Sequence, residues 1–191
     1  MNVPNFSEWK NFSKGFTDIK EAEILWKVCI NTNPKLILEI GRRLGMSTRL
    51  FAMIAKENCG RVISVDGNPL TSAEVMLTNE GLIDHVDFIN HWSPWIEFDP
   101  SWELDFLYID GDHKYISALV DYHVFNFFVK PGGIIAFHDA KYPPVAEAIK
   151  QACKRDRLEH IDSAKQMAIF KKADKARRVY FQFPNYEFKT I

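Results

Sequence analysis

Four carboxylates in this 191-residue chain stand where an apolar run stops. They are Glu39 in KLILEIGRRLGMST (35–48), Asp66 after RVISV, Asp110 after LDFLYI and Asp139 after IIAFH. Such short apolar runs read as strands buried on both faces of a parallel sheet. Open parallel sheets bind ligands beyond the carboxyl ends of their strands, where the strand order reverses, so the four acids are expected on one rim. A carboxylate is costly to bury unless something pairs with it. A solvated loop or a helix cap accounts for any one of these acids, but the four together call for a ligand or a metal ion. Asp66 closes the second strand at the place where an acid can accept both hydroxyls of a ribose. Gly41 and Gly45, separated by Arg42, Arg43 and Leu44, lack the G-x-G-x-x-G spacing that grips a diphosphate. A nucleoside without a diphosphate fits that turn better.

The elements that must carry these residues follow in chain order. A leading helix is expected over 18–31, with Ile19, Ala22, Leu25, Trp26 and Ile30 on one face, and Asn33-Pro34 ends it. The first strand and glycine turn lead to a helix over 47–56, stopped by Cys59-Gly60, and then to the strand 61–66. A third helix over 71–80 and a strand over 85–90 complete the first half. The stretch HWSPWIEFDPSWE (91–103) is too broken by proline for a full helix and reads as a loop with one helical turn. Strand 104–110, helix 116–128, a tight Lys130-Pro131-Gly132-Gly133 turn, strand 134–138 and helix 144–154 come next. Two short closing strands, 158–161 and 167–170, flank a DSAKQ turn. Repeated strand–helix units with short turns imply parallel strands joined by right-handed crossovers.

Length fits a single domain over 1–191, divided into an N-terminal arm (1–17), a core (18–172) and an aromatic C-terminal extension (173–191). Hydrophobic residues make up 47% and the net charge is −1, which gives no general attraction for nucleic acid or an anionic membrane. A small-molecule partner is the default, and a homo-oligomer is left open. No apolar run reaches the length of a signal peptide or a membrane span, so a cytoplasmic protein is expected. Cys29, Cys59 and Cys153 lack the spacing of a zinc site or a disulfide framework and read as buried, reduced thiols.

With ILEIGRRLGMST, VISVD, LDFLYIDGDHKY and KPGGIIAFHDA in this order, the chain resembles class I S-adenosylmethionine-dependent methyltransferases over residues 18–172. The pattern I-D-G-x-H-x-Y followed by P-G-G-x-x-x-x-H-D is similar to the small O-methyltransferase branch of macrolide-sugar and catechol methyltransferases. The resemblance implies an α/β, Rossmann-like, doubly wound sheet of about seven strands, mostly parallel with an antiparallel last strand and helices on both faces. It implies that Glu39, Gly41, Gly45 and Ser47 line the methionine part of S-adenosylmethionine, with Asp66 on the ribose and Ser93 on the adenine. Asp110 is counted with the cofactor-binding residues as well as with the reacting ones. His91 and Trp92 depart from the small residues usual before Ser93, and Arg42 and Arg43 from the small or uncharged residues usual in the turn; both arginines are expected to point to solvent. The expected reaction is methylation of a small-molecule hydroxyl. Asp110 and Asp139 would hold a divalent cation, magnesium or manganese, and His113 would take the hydroxyl proton. Ala140 stands where catechol-type enzymes have a third ligand, which leaves His138 as the expected third donor; an imidazole there favours manganese, iron or zinc over magnesium. Two rivals accompany this reading: an iron-dependent hydroxylase-like relative on the same fold, and a non-catalytic nucleoside-binding or interaction protein.

Overall fold

The computed structural model describes Pro4 and residues 18–173. The expected N-terminal arm and C-terminal extension lie outside the described residues, apart from Pro4 and Ala173. Seven strands form one sheet: β1 (Leu36–Ile40), β2 (Arg61–Val65), β3 (Val86–Ile89), β4 (Leu104–Ile109), β5 (Val129–Phe137), β6 (Glu159–Ala164) and β7 (Met167–Lys171). Their order is β3-β2-β1-β4-β5-β7-β6. Neighbours from β3 to β5 are parallel, and β7 runs antiparallel to both β5 and β6. The fold is the expected Rossmann-like α/β sheet. Its order reverses between β1 and β4, which makes the rim beside β1 the natural ligand site.

Among the described residues five helices cover the two faces: α1 (Ile19–Thr32), α2 (Met46–Asn58), α3 (Ser72–Asn79), α4 (Tyr115–Phe125) and α5 (Pro143–Asp156). Leu25 and Trp26 of α1, Leu50, Phe51 and Ile54 of α2 and Leu77 of α3 pack with Ile37, Val62, Phe106 and Tyr108 on one face. Tyr122 and Phe125 of α4 and Val145, Ile149 and Ala152 of α5 pack with Leu38, Ile63, Leu107 and Ile135 on the other. Alternate residues of one strand serve opposite layers because side chains alternate across a pleated strand. Ile30, expected on the buried face of α1, is 37% exposed, whereas Glu21 of the same helix is 2% exposed.

Two turns differ from expectation. Residues 130–133 are not a free turn but a bulge inside β5, where Leu104 pairs with Val129 and Phe106 with Ile134. Gly132 N–H donates to the Lys172 carbonyl and Lys172 N–H to the Gly133 carbonyl, so the extra residues are tied to the chain leaving β7. The closing hairpin is tighter than expected: β6 runs to Ala164, and only Lys165, at φ 50°, and Gln166 make the turn. All three cysteines are free thiols; Cys29 is buried, while Cys59 is exposed at the C-cap of α2. Among the described residues no helix is long and apolar enough to cross a membrane.

Candidate functional site

The strand tips are held in step by one extra rung of hydrogen bonds beyond the regular ladder. Asp66 N–H donates to the Ile89 carbonyl (3.0 Å), Gly41 to Val65 (2.8 Å), Asp110 to Ile40 (2.8 Å) and His138 to Ile109 (3.0 Å). The residues just past β2, β1, β4 and β5 therefore follow one another along the rim. They open onto one cavity of about 1220 Å³, lined by the glycine turn, Asp66, Ser93, Asp110, His113, His138 and Asp139. That volume exceeds the roughly 300–1,000 Å³ usual for a single small ligand.

The glycine turn has little freedom. At Gly41, φ is +85°, and a Cβ there would lie 2.0 Å from the Asp110 carbonyl oxygen. Only glycine meets both conditions, because the left-handed region penalises a Cβ and the neighbouring strand leaves no room for one. At Gly45, also at φ +85°, a Cβ would meet the Ala73 Cβ at 2.5 Å, so α3 packs against the start of α2.

Asp66 grips this turn. Its Oδ2 accepts the backbone N–H of Arg42 (2.9 Å) and of Arg43 (2.8 Å), and its Oδ1 accepts that of Asn68 (2.7 Å). A carboxylate offers about four acceptor positions. Three are filled from the protein, so a ribose has one left rather than the pair expected. The Arg42 side chain runs inward, contrary to expectation. It is 3% exposed, donates to the Ser64 carbonyl (3.0 Å) and the Asn90 side chain, and lays its guanidinium 4.9 Å from the centroid of the Phe88 ring. Arg43 is exposed, as expected.

Glu39 lies beneath the cavity, not in its wall. Fully buried, it accepts the hydroxyls of Ser47 (2.5 Å), Thr48 (2.6 Å) and Ser64 (2.6 Å). Burial lifts its carboxyl, the three hydroxyls pull it back and the charge of Asp110 adds to the rise, leaving it at about 7. Ser47 lines the cavity, yet its hydroxyl proton is directed at Glu39.

Asp110, His113 and Asp139 come together, with one ligand atom of each within 4.8 Å of the others. His113 Nε2 is 3.0 Å from Asp139 Oδ2 and 3.8 Å from Asp110 Oδ1, and its ring is about half exposed. The hydrogen bond to Asp110 raises the His113 pKa; burial opposes the rise, and the charges of Asp139 and Asp110 add to it. Burial disfavours charge on Asp110, but hydrogen bonds from His113 and His138 outweigh it and hold the carboxyl below its ordinary range. Asp139 sits at φ 50°, a left-handed conformation that non-glycine residues seldom adopt and that recurs at functional sites.

His138, the expected third donor, stands beside the same two acids. Its Nδ1 lies 3.1 Å from Asp110 Oδ1 and 3.1 Å from Asp139 Oδ2, and its Nε2 lies 3.3 Å from Glu21 Oε2. Burial disfavours its charge, yet the hydrogen bonds to Asp110 and Glu21 and the charges of both push its pKa up to about 11. The ring thus bridges three acids. Glu21, the residue that fixes it, also accepts the N–H of Asp18 (2.9 Å) in the capping box of α1 and the N–H of Gln166 (2.8 Å). The D-x-x-E pattern at 18–21 was a visible signal for the cap, though not for the histidine.

The far end of the rim is built by the tryptophan stretch. A single 3₁₀ turn, Ser93–Trp95, packs Trp92 onto Gly67, where a Cβ would come 2.2 Å from the indole. Trp95 is 75% exposed at the cavity mouth, whereas Trp102 is packed against Phe128 in the core. The Ser93 hydroxyl donates to Asp121 of α4, which is 2% exposed and lifted by burial to about 6, against the pull of that hydroxyl. Asp121 is a site residue that sequence reasoning missed. Its signal was an acid beside Ala118, Tyr122 and Phe125 on the apolar face of a helix.

Residues 38–140, more than half of the chain, match a family described as methyltransferase domain, and the chain belongs to that family. Among solved structures it is similar to a candidate caffeoyl-CoA O-methyltransferase from Staphylococcus aureus, at 17% identity and a TM-score of 0.76 over 90% of this chain and 93% of that one. It is also similar to an O-methyltransferase from Bacillus cereus in complex with S-adenosylhomocysteine, at 17% identity and a TM-score of 0.68 over 86% of each chain. The O-methyltransferase TomG from Streptomyces achromogenes, in complex with S-adenosylmethionine, shares 13% identity and a TM-score of 0.67 over 88% of this chain and 86% of that one. At such identities the likeness establishes the class I methyltransferase fold. No curated protein sequence matches the chain.

Proposed function

We propose that this protein transfers the methyl group of S-adenosylmethionine to a hydroxyl of a small molecule. The observation that carries this reading is the order of the strand tips. A nucleoside acceptor, Asp66, and an Asp–His–Asp cluster open onto one cavity, with the glycine turn between them. Asp66 would take one ribose hydroxyl on its remaining acceptor position. The methionine moiety would lie over Gly41 and Gly45, bringing the sulfonium methyl toward Asp110. Two carboxylates beside a histidine suit a divalent cation, and Asp110 and Asp139 are the residues that would hold it. When bound, such an ion lowers the pKa of a coordinated hydroxyl. His113, the more exposed of the two site histidines, takes the hydroxyl proton in its neutral form. His138 and Glu21 hold Asp110 and Asp139 in place.

Calorimetry with S-adenosylmethionine and S-adenosylhomocysteine, before and after chelation, tests the reading. Micromolar binding that falls at least about tenfold in Asp66→Asn is expected, since a hydrogen bond to a charged group is lost. Unchanged binding in that variant would sink the cofactor assignment. Manganese-restored methylation should disappear in Asp139→Asn, and full activity there would refute the metal role. Oxygen uptake with iron, in place of methyl transfer, would support the hydroxylase reading instead.

A further inference from the structure

The large hydrophobic side chains that face solvent are not scattered. Among the described residues six are at least half exposed, and four of these, Trp92, Trp95, Ile116 and Tyr142, stand around the mouth of the cavity. Trp92, Trp95 and Ile116 line it, and the Tyr142 ring lies 6.4 Å from that of His113, which lines it too. They come from three separate elements: the 3₁₀ turn after β3 with its N-cap, the first turn of α4 and the N-cap of α5. A ligand inside a cavity is held by side chains that face inward, whereas these four turn at least half of their surface outward. Exposed apolar side chains gathered in this way mark contact with a further molecule or a membrane.

The charges around the mouth indicate which. Each carboxylate that lines the cavity is already engaged: Asp66 by the turn, Asp110 and Asp139 by the two histidines, Asp112 by Lys114 and Ser117, and Asp121 by Ser93. Arg43 in the cavity wall and Lys141 beside Tyr142 are exposed, and neither side chain forms an ion pair with an acid among the described residues. Exposed tryptophan and tyrosine rings between free cations suit a surface of acidic lipid headgroups. Such rings settle at headgroup depth, and lysine and arginine are drawn to the anionic layer. A second copy of the chain seated there would close the mouth to an acceptor. The net charge of −1 gives the whole chain no pull toward such a surface, so contact depends on this face alone.

We propose that the cavity mouth docks on a lipid surface with acidic headgroups, where Trp95, Ile116 and Tyr142 enter the interface and Arg43 and Lys141 meet the headgroups. Taken with the methyl-transfer reading, on which this second step rests, docking delivers a lipid-soluble hydroxyl compound to His113 without a passage through water.

Co-sedimentation of the full chain with vesicles of phosphatidylcholine, alone or with about a quarter phosphatidylglycerol, tests the docking face. The native protein is expected to bind the acidic vesicles about ten- to thirtyfold more tightly than the neutral ones. Trp95→Ser together with Ile116→Ser should weaken binding to acidic vesicles at least about tenfold. Arg43→Gln together with Lys141→Gln should reduce it to the level seen with neutral vesicles. Phe127→Ser, at a similarly exposed ring just past the far end of α4, should leave it within about twofold. No binding of the native protein to acidic vesicles overturns the proposal. So does binding that survives the Trp95 and Ile116 substitutions, or an equal loss in Phe127→Ser. A dimer in sedimentation equilibrium that the Trp95 and Ile116 substitutions dissolve assigns the face to a second copy and overturns it as well. Vesicle binding by a protein with no affinity for S-adenosylhomocysteine upholds the docking face and removes the methyl-transfer reading, so the two fail separately.

Discussion

Substituting Gly41 by alanine puts the glycine turn to a direct test. The new methyl would stand 2.0 Å from the Asp110 carbonyl oxygen, where real Cβ contacts stay beyond 3.0 Å, on a backbone at φ +85°. Holding alanine in the left-handed region costs about 1–2 kcal/mol. Forcing a methyl into a filled space costs about 1–3 kcal/mol more. Neither chain segment gives way freely, because Gly41 N–H is bonded to Val65 and Asp110 N–H to Ile40. The expected destabilisation is about 2–5 kcal/mol, which lowers Tm by about 4–20 °C in a domain of this size. Relief of the clash moves the Asp110 main chain by about 1 Å, a displacement that can lower a catalysed rate about 100-fold. Differential scanning calorimetry and titration with S-adenosylhomocysteine read the two effects separately. A Tm unchanged within about 2 °C, with native affinity, would refute both the steric argument and the place of the turn in the cofactor slot.

Two further outcomes follow from groups around the rim. His138→Gln removes a cation bonded to Asp110, Asp139 and Glu21, and a loss of about 2–3 kcal/mol is expected once partial exposure is discounted. The His138 pKa is raised on folding from 6.5 to about 11, so its contribution is complete below pH 6.5 and fades as pH climbs through 11. Denaturation curves of the two proteins should therefore converge at high pH; a gap that widens instead contradicts the ion-pair account. Arg42→Met should cost about 1–3 kcal/mol by urea denaturation, because two donors to Ser64 and Asn90 and the contact with Phe88 disappear while a costly buried charge is also removed. It should also weaken S-adenosylhomocysteine binding, since the buried side chain anchors the turn whose backbone N–H groups hold Asp66. Native stability and affinity together would show that the buried guanidinium is incidental.

Strand identity was legible because buried parallel strands declare themselves as short apolar runs, and the acids that follow β2, β4 and β5 were visible as the points where those runs stop. Asp110, His113 and Asp139 lie one to four residues beyond a strand, so their meeting follows from strand order alone. Residues whose role depends on a distant partner were not legible. Arg42 looks like a loop arginine until β3, over forty residues later, supplies Phe88 and Asn90 beneath it. Glu21 looks like a helix-capping acid, which it is, but its other partners lie at His138 and Gln166. The bond from His138 to Glu21 was equally hidden, because a sequence position next to Asp139 says nothing about which way the ring nitrogens face. The bulge in β5 escaped because Lys-Pro-Gly-Gly reads equally as a turn, and only its pairing with the end of β7 makes it part of a strand.

The reach of Glu21 has a bearing on how the site comes into being during synthesis. Its carboxylate joins His138, 117 residues downstream, and Gln166, 145 residues downstream. Contacts so far apart in the chain are slow to form, because the entropy of closing the loop is lost before any contact rewards it. On a ribosome, α1 emerges first and must wait with a capped but unmatched acid until almost the whole sheet has been delivered. The bridge between Asp110, Asp139 and Glu21 closes only when β5 and the turn before β7 arrive. A nascent chain therefore has every residue of the glycine turn long before it has a working reaction centre.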